Sequence, residues 1–343
     1  MTHPRFGFCC KWLDDPAEAA GRKPTSASRD LNGRRTTMRW LREHADEAEQ
    51  RQWDIMNHNA AAALKMVERV GEFPEERRMV RLGSEMLQGY TEPSWIDWWQ
   101  RREIQDHCER IFAPVGDAAR RLGVRLSFHP GQFCVLASES DEIVRRSILE
   151  FEYHADMARW MGYGSSWHDE GFKINVHLSG KGGAEKFLQT FQKLSPEARN
   201  LITIENDEVS NGLDSVLSVA EHCAIVLDVH HHWVKTGEYI DPADSRVQRV
   251  LESWRGGRPT LHYSVSREDL LVNHDPGIRP NLDDLIARGY KKQALRAHSD
   301  FYWNHAVNDW VLGFTDNFDI QCEAKGKNLA SQQLYERYTS RNI

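Results

Sequence analysis

A chain of 343 residues with 40% apolar content can bury a substantial core, and α/β barrels commonly fold at such lengths as a single domain, here expected over 1–343. The formal net charge of −7 argues against a generic nucleic-acid coat, although a basic face can sit on an acidic body. Six cysteines without a C-x-x-C pair argue against a disulfide or zinc-ribbon scaffold; with no leader pattern and no membrane-length apolar run, the expectation is a soluble, cytoplasmic monomer.

The first strand-like run is residues 5–9, followed by a polar segment at 14–35, rich in Arg, Gly, Pro and Ser, that reads as a long loop. A helical pattern covers 45–70 and a second strand 78–82. The next helical stretch, 95–122, opens with Trp95, Trp98 and Trp99 at helical spacing, which reads as wall packing. Strand 124–128 leads into H-P-G-Q-F at 129–133 and then helix 140–161; strand 173–178 leads into helix 183–194. Strands at 201–204 and 223–229, a helix at 243–254, a strand at 260–264, a second long polar segment at 267–290 and a last strand at 318–322 complete the series. Eight strands alternating with helices predict an α/β fold of the (β/α)8 TIM-barrel type. The rival doubly wound sheet lacks a G-x-G-x-x-G after its first strand. The two polar segments become extended loops of the C-terminal face.

A barrel imposes a parity on every strand, because alternate residues face its axis and the rest face the helices. Arg125, Ser127 and His129 share one parity against Leu126 and Phe128; Asn175 and His177 oppose Ile174, Val176 and Leu178. Glu205, Asp228, His262 and Glu323 fall on the corresponding parity at or near the ends of their strands, where barrel enzymes place their chemistry. In the D-V-H-H-H run, Asp228 and His231 are spaced to meet one ion, while His230 and His232 brace the loop. His107, His154 and His222 lie on helices and are assigned no role.

Buried imidazoles and carboxylates require partners or cations. His129, His177, Glu205, Asp228, His231, His262 and Glu323 contain no thiolate, a set suited to Mn²⁺, Zn²⁺, Co²⁺ or Fe²⁺. Seven candidates exceed the needs of one four-coordinate ion, so a polynuclear site of two or three ions is expected at the C-terminal face. Such a site suits phosphodiester hydrolysis.

Taken in order, R-L-G-S (81–84), S-F-H-P-G-Q-F (127–133), N-V-H-L-S-G-K (175–181), T-I-E-N-D-E (203–208), L-D-V-H-H-H (227–232), L-H-Y-S (261–264), A-H-S-D-F (297–301) and C-E-A-K-G-K (322–327) resemble the UV damage endonuclease family. The resemblance implies a TIM-barrel DNA repair endonuclease with a divalent metal cluster, Mn²⁺ being the usual assignment and Zn²⁺, Co²⁺ or Mg²⁺ alternatives. Its partner would be damaged double-stranded DNA, nicked immediately 5′ of UV photoproducts and related lesions by hydroxide generated at the metals. It supports the seven ligands, adds His298, and makes Glu205, His231 and Lys325 catalytic. Gln132 and Phe133 match the pair inserted at the lesion, and Phe8 is a weaker candidate for a second such contact. Lys181, Lys325 and Lys327, with Arg22, Arg29, Arg34 and Arg35, become phosphate contacts.

The chain also departs from that pattern. Glu92, in G-Y-T-E-P, stands where a histidine ligand is expected, Thr260 where a lysine is, and Phe133 where a tyrosine is. These departures bear on a third ion and on lesion preference. A sugar isomerase or epimerase of the xylose isomerase type, an apurinic endonuclease-like activity and a metal-dependent damaged-DNA binder are the alternatives.

Overall fold

Ile174, Val176, Ile202, Ile204, Ile225 and Leu227 occupy one parity of three consecutive strands, and all are buried in one apolar cluster. In the computed structural model, which describes residues 3–341, that parity faces the surrounding helices and the opposite one lines a closed, all-parallel barrel. Its strands are β1 (Phe6–Cys9), β2 (Met79–Arg81), β3 (Arg125–Phe128), β4 (Lys173–His177), β5 (Ile202–Glu205), β6 (Ala224–Asp228), β7 (Thr260–Tyr263) and β8 (Asp319–Cys322). They pair in chain order, and β1 closes the ring on β8 with Phe6 opposite Ile320. The expected TIM barrel is therefore present, its strand limits shifted by a residue or two.

Three expectations need correction, one of a helix and two of loops. The 95–122 stretch is broken into Ile96–Trp99 and Arg102–Leu122; Trp98 and Trp99 are buried and Trp95 packs beside them. The polar segment 14–35 is not bare loop. It holds the short helices Pro16–Ala19 and Ser26–Leu31, capped by the side chains of Asp15 and Thr25, because turn-type residues supply N-caps as readily as turns. Likewise, Asn281 caps Leu282–Ala287 within 267–290.

The axial parity carries a series of buried polar side chains. Near the N-terminal end Arg125 Nη1 meets Asp319 Oδ2 at 2.6 Å, and Arg258 Nε reaches Asp319 Oδ1 at 2.8 Å. One level up, Thr203 Oγ1 donates to Asn175 Oδ1 at 2.9 Å, and Asn175 Nδ2 donates to Glu205. These groups bond one another within the barrel, which lets the polar side chains of its axis remain buried. All six cysteines are free, and no helix among the described residues is long and apolar enough to cross a membrane.

Candidate metal centre

Glu205 ends β5 with its carboxylate buried on the barrel axis, and four imidazoles converge on it. His262 Nδ1 lies 3.2 Å from Oε2, His129 Nε2 at 3.3 Å and His177 Nε2 at 3.9 Å; His231 Nδ1 is 3.5 Å from Oε1. The convergence follows from register, since His177 pairs directly with Glu205 across β4 and β5, and Asp228 with His262 across β6 and β7. Burial would raise the Glu205 carboxyl, but the imidazoles of His262, His177 and His129 outweigh it and hold the group well below the usual carboxylate range.

The D-V-H-H-H run is held by Asn206. Its side chain accepts from the Asp228 backbone N–H at 2.9 Å and donates to the Asp228 carbonyl at 2.9 Å, so the strand end cannot swing. Asp228 Oδ1 then caps helix Val229–Thr236 by accepting from the His231 N–H at 2.7 Å. That cap places His231 inside the cluster, with Nδ1 3.5 Å from Asp228 Oδ2. Burial pushes the Asp228 carboxyl up to about 7. Burial would lower His231, yet Asp228, Glu205 and Glu208 carry it up to about 9. His230 instead stacks on Trp233, and His232 bonds Glu238 at 2.9 Å.

Glu323, just beyond β8, is within 3.5 Å of His262 Nδ1 and 2.5 Å of Arg81 Nη1. His298 comes from the loop before β8, its Nδ1 set 3.1 Å from the Glu323 carbonyl and its ring 6.3 Å from that of His231.

Two sets of donor atoms lie close enough to share an ion: His129, His177 and Glu205, and then Glu205, Asp228, His262 and Glu323. Glu205 Oε1, Asp228 Oδ2 and His262 Nδ1 are buried without a hydrogen-bond partner. Unsatisfied carboxylate oxygens and an imidazole nitrogen aimed at one another are what a divalent cation would satisfy, so the residues fit such ions. Glu205 belongs to both sets and would bridge them.

Several expected site residues lie elsewhere. Phe8 is 1% exposed and packs against Trp12 on the helix-facing side of β1, so it cannot reach a ligand on the axis. Glu92 is exposed on the wall of a neighbouring cavity of about 1150 Å³ and belongs to neither donor set. Its turn is anchored by buried Tyr90, whose hydroxyl donates to Asp156 at 2.7 Å, and this leaves the Glu92 side chain outside. Lys325 sits at the rim, 3.4 Å from Asp300, rather than in the cluster. Lys181, Gln132 and Phe133 are exposed, and Lys327 is half-buried at the start of the last helix. Arg22 pairs with Asp15 at 2.9 Å and Arg35 with Glu85 at 2.5 Å, while Arg29 and Arg34 are exposed.

Two further residues join the site. Arg81 shares the axial parity of β2 and could have been found by the same alternation. Glu208 has Oε2 3.8 Å from His231 Nε2 and Oε1 2.8 Å from Arg296. Its position three residues past Glu205 in a polar run gave the sequence no way to separate it from Asp207. Above the cluster opens a cup of about 630 Å³ lined by His129, Gln132, His177, Glu208, His231 and His298.

Residues 4–342 match the family model described as UV-endonuclease UvdE. A putative UV-damage endonuclease of Acanthamoeba polyphaga mimivirus is 29% identical over 67% of the chain, which spans 65% of that protein, just under two thirds of its length. A UV DNA damage endonuclease of Bacillus mycoides (strain KBAB4) is 24% identical over 86% of the chain and 85% of its own length. Among solved structures, the crystal structure of SacUVDE superposes with a TM-score of 0.72 at 23% identity, covering 99% of both chains. That likeness shows the same fold.

Proposed function

The chain belongs to the UV-endonuclease UvdE family, and on that premise we propose that it is a metal-dependent DNA repair endonuclease that nicks duplex DNA immediately 5′ of UV photoproducts and related lesions. The observation that carries the reading is the pair of donor sets joined through Glu205 at the C-terminal end of the barrel, beneath an open cup. When bound there, divalent ions such as Mn²⁺ supply Lewis acidity toward a phosphoryl oxygen and lower the pKa of water.

The protein's own groups supply position. Asn206 fixes Asp228, the Asp228 cap fixes His231, and Arg81 fixes Glu323, so the donors keep their places without a cation. His231 is carried up to about 9, and its exchangeable proton lies at the base of the cup. Gln132 and Phe133 project from the loop after β3, and a lesion that is already poorly stacked is cheap to displace, leaving a space an aromatic ring can fill. Lys181, Lys325 and the arginines of 14–35 stand at the same face as contacts for the phosphate backbone.

The reading is tested with an end-labelled duplex carrying one cyclobutane dimer and an undamaged twin. It predicts one nick 5′ of the dimer, with 3′-hydroxyl and 5′-phosphate ends. Equal cutting of both duplexes, or cutting only at abasic sites, would reject it.

A further inference from the structure

Two loops of the C-terminal face repeat one arrangement. Phe133 stands four residues beyond His129 in the loop after β3, and Val209 stands four residues beyond Glu205 in the loop after β5. They are the two most exposed large hydrophobic side chains among the described residues, at 84% and 68%. Each follows a polar residue, Gln132 or Glu208, that lines the cup, and Val209 lines it too.

A single exposed apolar side chain is ordinary on a protein surface. What distinguishes Val209 is the effort of its loop to hold it still. The Asp207 carboxylate accepts from the backbone N–H groups of Val209 at 2.7 Å, Asn211 at 3.1 Å and also Ser210. Lys235 Nζ donates to the carbonyls of Val209 at 3.0 Å and Ser210 at 3.4 Å. A Cβ at Gly212 would come within 2.8 Å of the Lys235 side chain and displace it. The backbone of the loop tip is thus satisfied internally, and a β-branched side chain adds little rotamer freedom to be lost on contact. Glu208 beside it is paired with Arg296 at 2.8 Å, so the tip does not meet a phosphate backbone as a bare anion.

We infer that Val209 is a second apolar contact on the damaged duplex, pressed into the groove beside the lesion, two strands around the barrel from Gln132 and Phe133. Apolar side chains pushed against base steps unstack and kink a duplex. A fixed wedge on each side of His177 would hold the lesion step open over the metal centre from both directions. The inference rests on the nuclease reading and assigns a specificity-determining residue to it.

The test uses full-length wild type, Val209→Ser and Val209→Ile. Binding to the single-dimer duplex and its undamaged twin is measured with chelator present, using 2-aminopurine next to the dimer to report unstacking; metal content, melting temperature, kcat and KM are measured beside it. Val209→Ser is expected to weaken dimer-duplex binding and raise KM by roughly tenfold, the scale of one buried aliphatic side chain. It should also reduce the 2-aminopurine signal, with metal content and melting temperature unchanged, and Val209→Ile should restore wild-type behaviour. Wild-type activity together with an unaltered Val209→Ser would overturn the wedge alone. A metal-loaded wild type that neither binds nor nicks the dimer duplex would overturn the nuclease reading and the wedge with it.

Discussion

The guanidinium of Arg81 in β2 lies 2.5 Å from the Glu323 carboxylate beyond β8, across two strand pairings of the barrel. Burial would raise the Glu323 carboxyl, but Arg81 and His262 hold it well below the usual range. Arg81 therefore keeps one donor of the second set ionised before any cation arrives.

Removing the Arg81 guanidinium leaves the buried Glu323 carboxylate with only His262 beside it. Arg81→Met should lower the stability of the metal-free protein by about 3–5 kcal/mol. In wild type a depressed carboxyl contributes stability above its unfolded value and loses it only as pH falls through the low folded value. In Arg81→Met the folded value rises, so acid unfolding should begin at higher pH. Urea melts across an acid series, with chelator, check both effects; identical acid limbs for the two proteins would refute the role of Arg81.

The Asn206 side chain bonds the Asp228 backbone, and His231 depends on Asn206 twice, through the Asp228 cap and through Nδ1, 3.2 Å from the Asn206 carbonyl. Asn206→Ala orphans two buried backbone groups, each worth about 1–3 kcal/mol. It should also weaken metal binding about 10- to 100-fold, as loss of a ligand's support does elsewhere. Calorimetric Mn²⁺ titration of the folded variant reads this directly.

The pH dependence of the chelated protein has a definite sign. His231 is raised to about 9 in the fold, so its contribution is complete below the unfolded value of about 6.5 and is lost as pH climbs through about 9. Asp228, raised to about 7, acts in the same direction, removing stability between about 4 and about 7. Cations need both groups unprotonated, so the rise in melting temperature on adding Mn²⁺ should grow from mildly acidic to mildly alkaline buffer. A rise independent of pH would show that neither group holds the ion.

Phe133 is 84% exposed, so Phe133→Ala should leave stability within about 0.5 kcal/mol of wild type. Binding to a dimer-containing duplex should nonetheless weaken by about 1–3 kcal/mol, the scale of one base–aromatic stack. Equal loss on damaged and undamaged duplex would mean a general DNA contact rather than a lesion probe.

Alternation made much of this site legible. Ile174 and Val176 against Asn175 and His177 announce which edge of β4 faces the axis, because only a buried polar axis needs that pattern. Phe8 misleads for a related reason. In F-G-F-C the axial residues are Gly7 and Cys9, too small to declare themselves, so the bulky ring looks like the functional one. Glu92 depends on how Tyr90 anchors a turn, a tertiary fact with no local signal. His298 lies in a loop, joined to the site by a bridge between Ser266 and His298, and strand parity could not reach it. Only the resemblance did.

The central claim is that Glu205 joins two ion seats that drive incision. Wild type and Glu205→Gln, both stripped with chelator and confirmed folded, should be compared for incision of the single-dimer duplex as Mn²⁺ is restored. The account predicts that wild type regains a nick 5′ of the dimer, while Glu205→Gln binds Mn²⁺ more than about a hundredfold more weakly and does not regain it, a loss beyond that of a residue that merely supports a ligand. Incision by stripped wild type in the continued presence of chelator, or full recovery by Glu205→Gln, would contradict it.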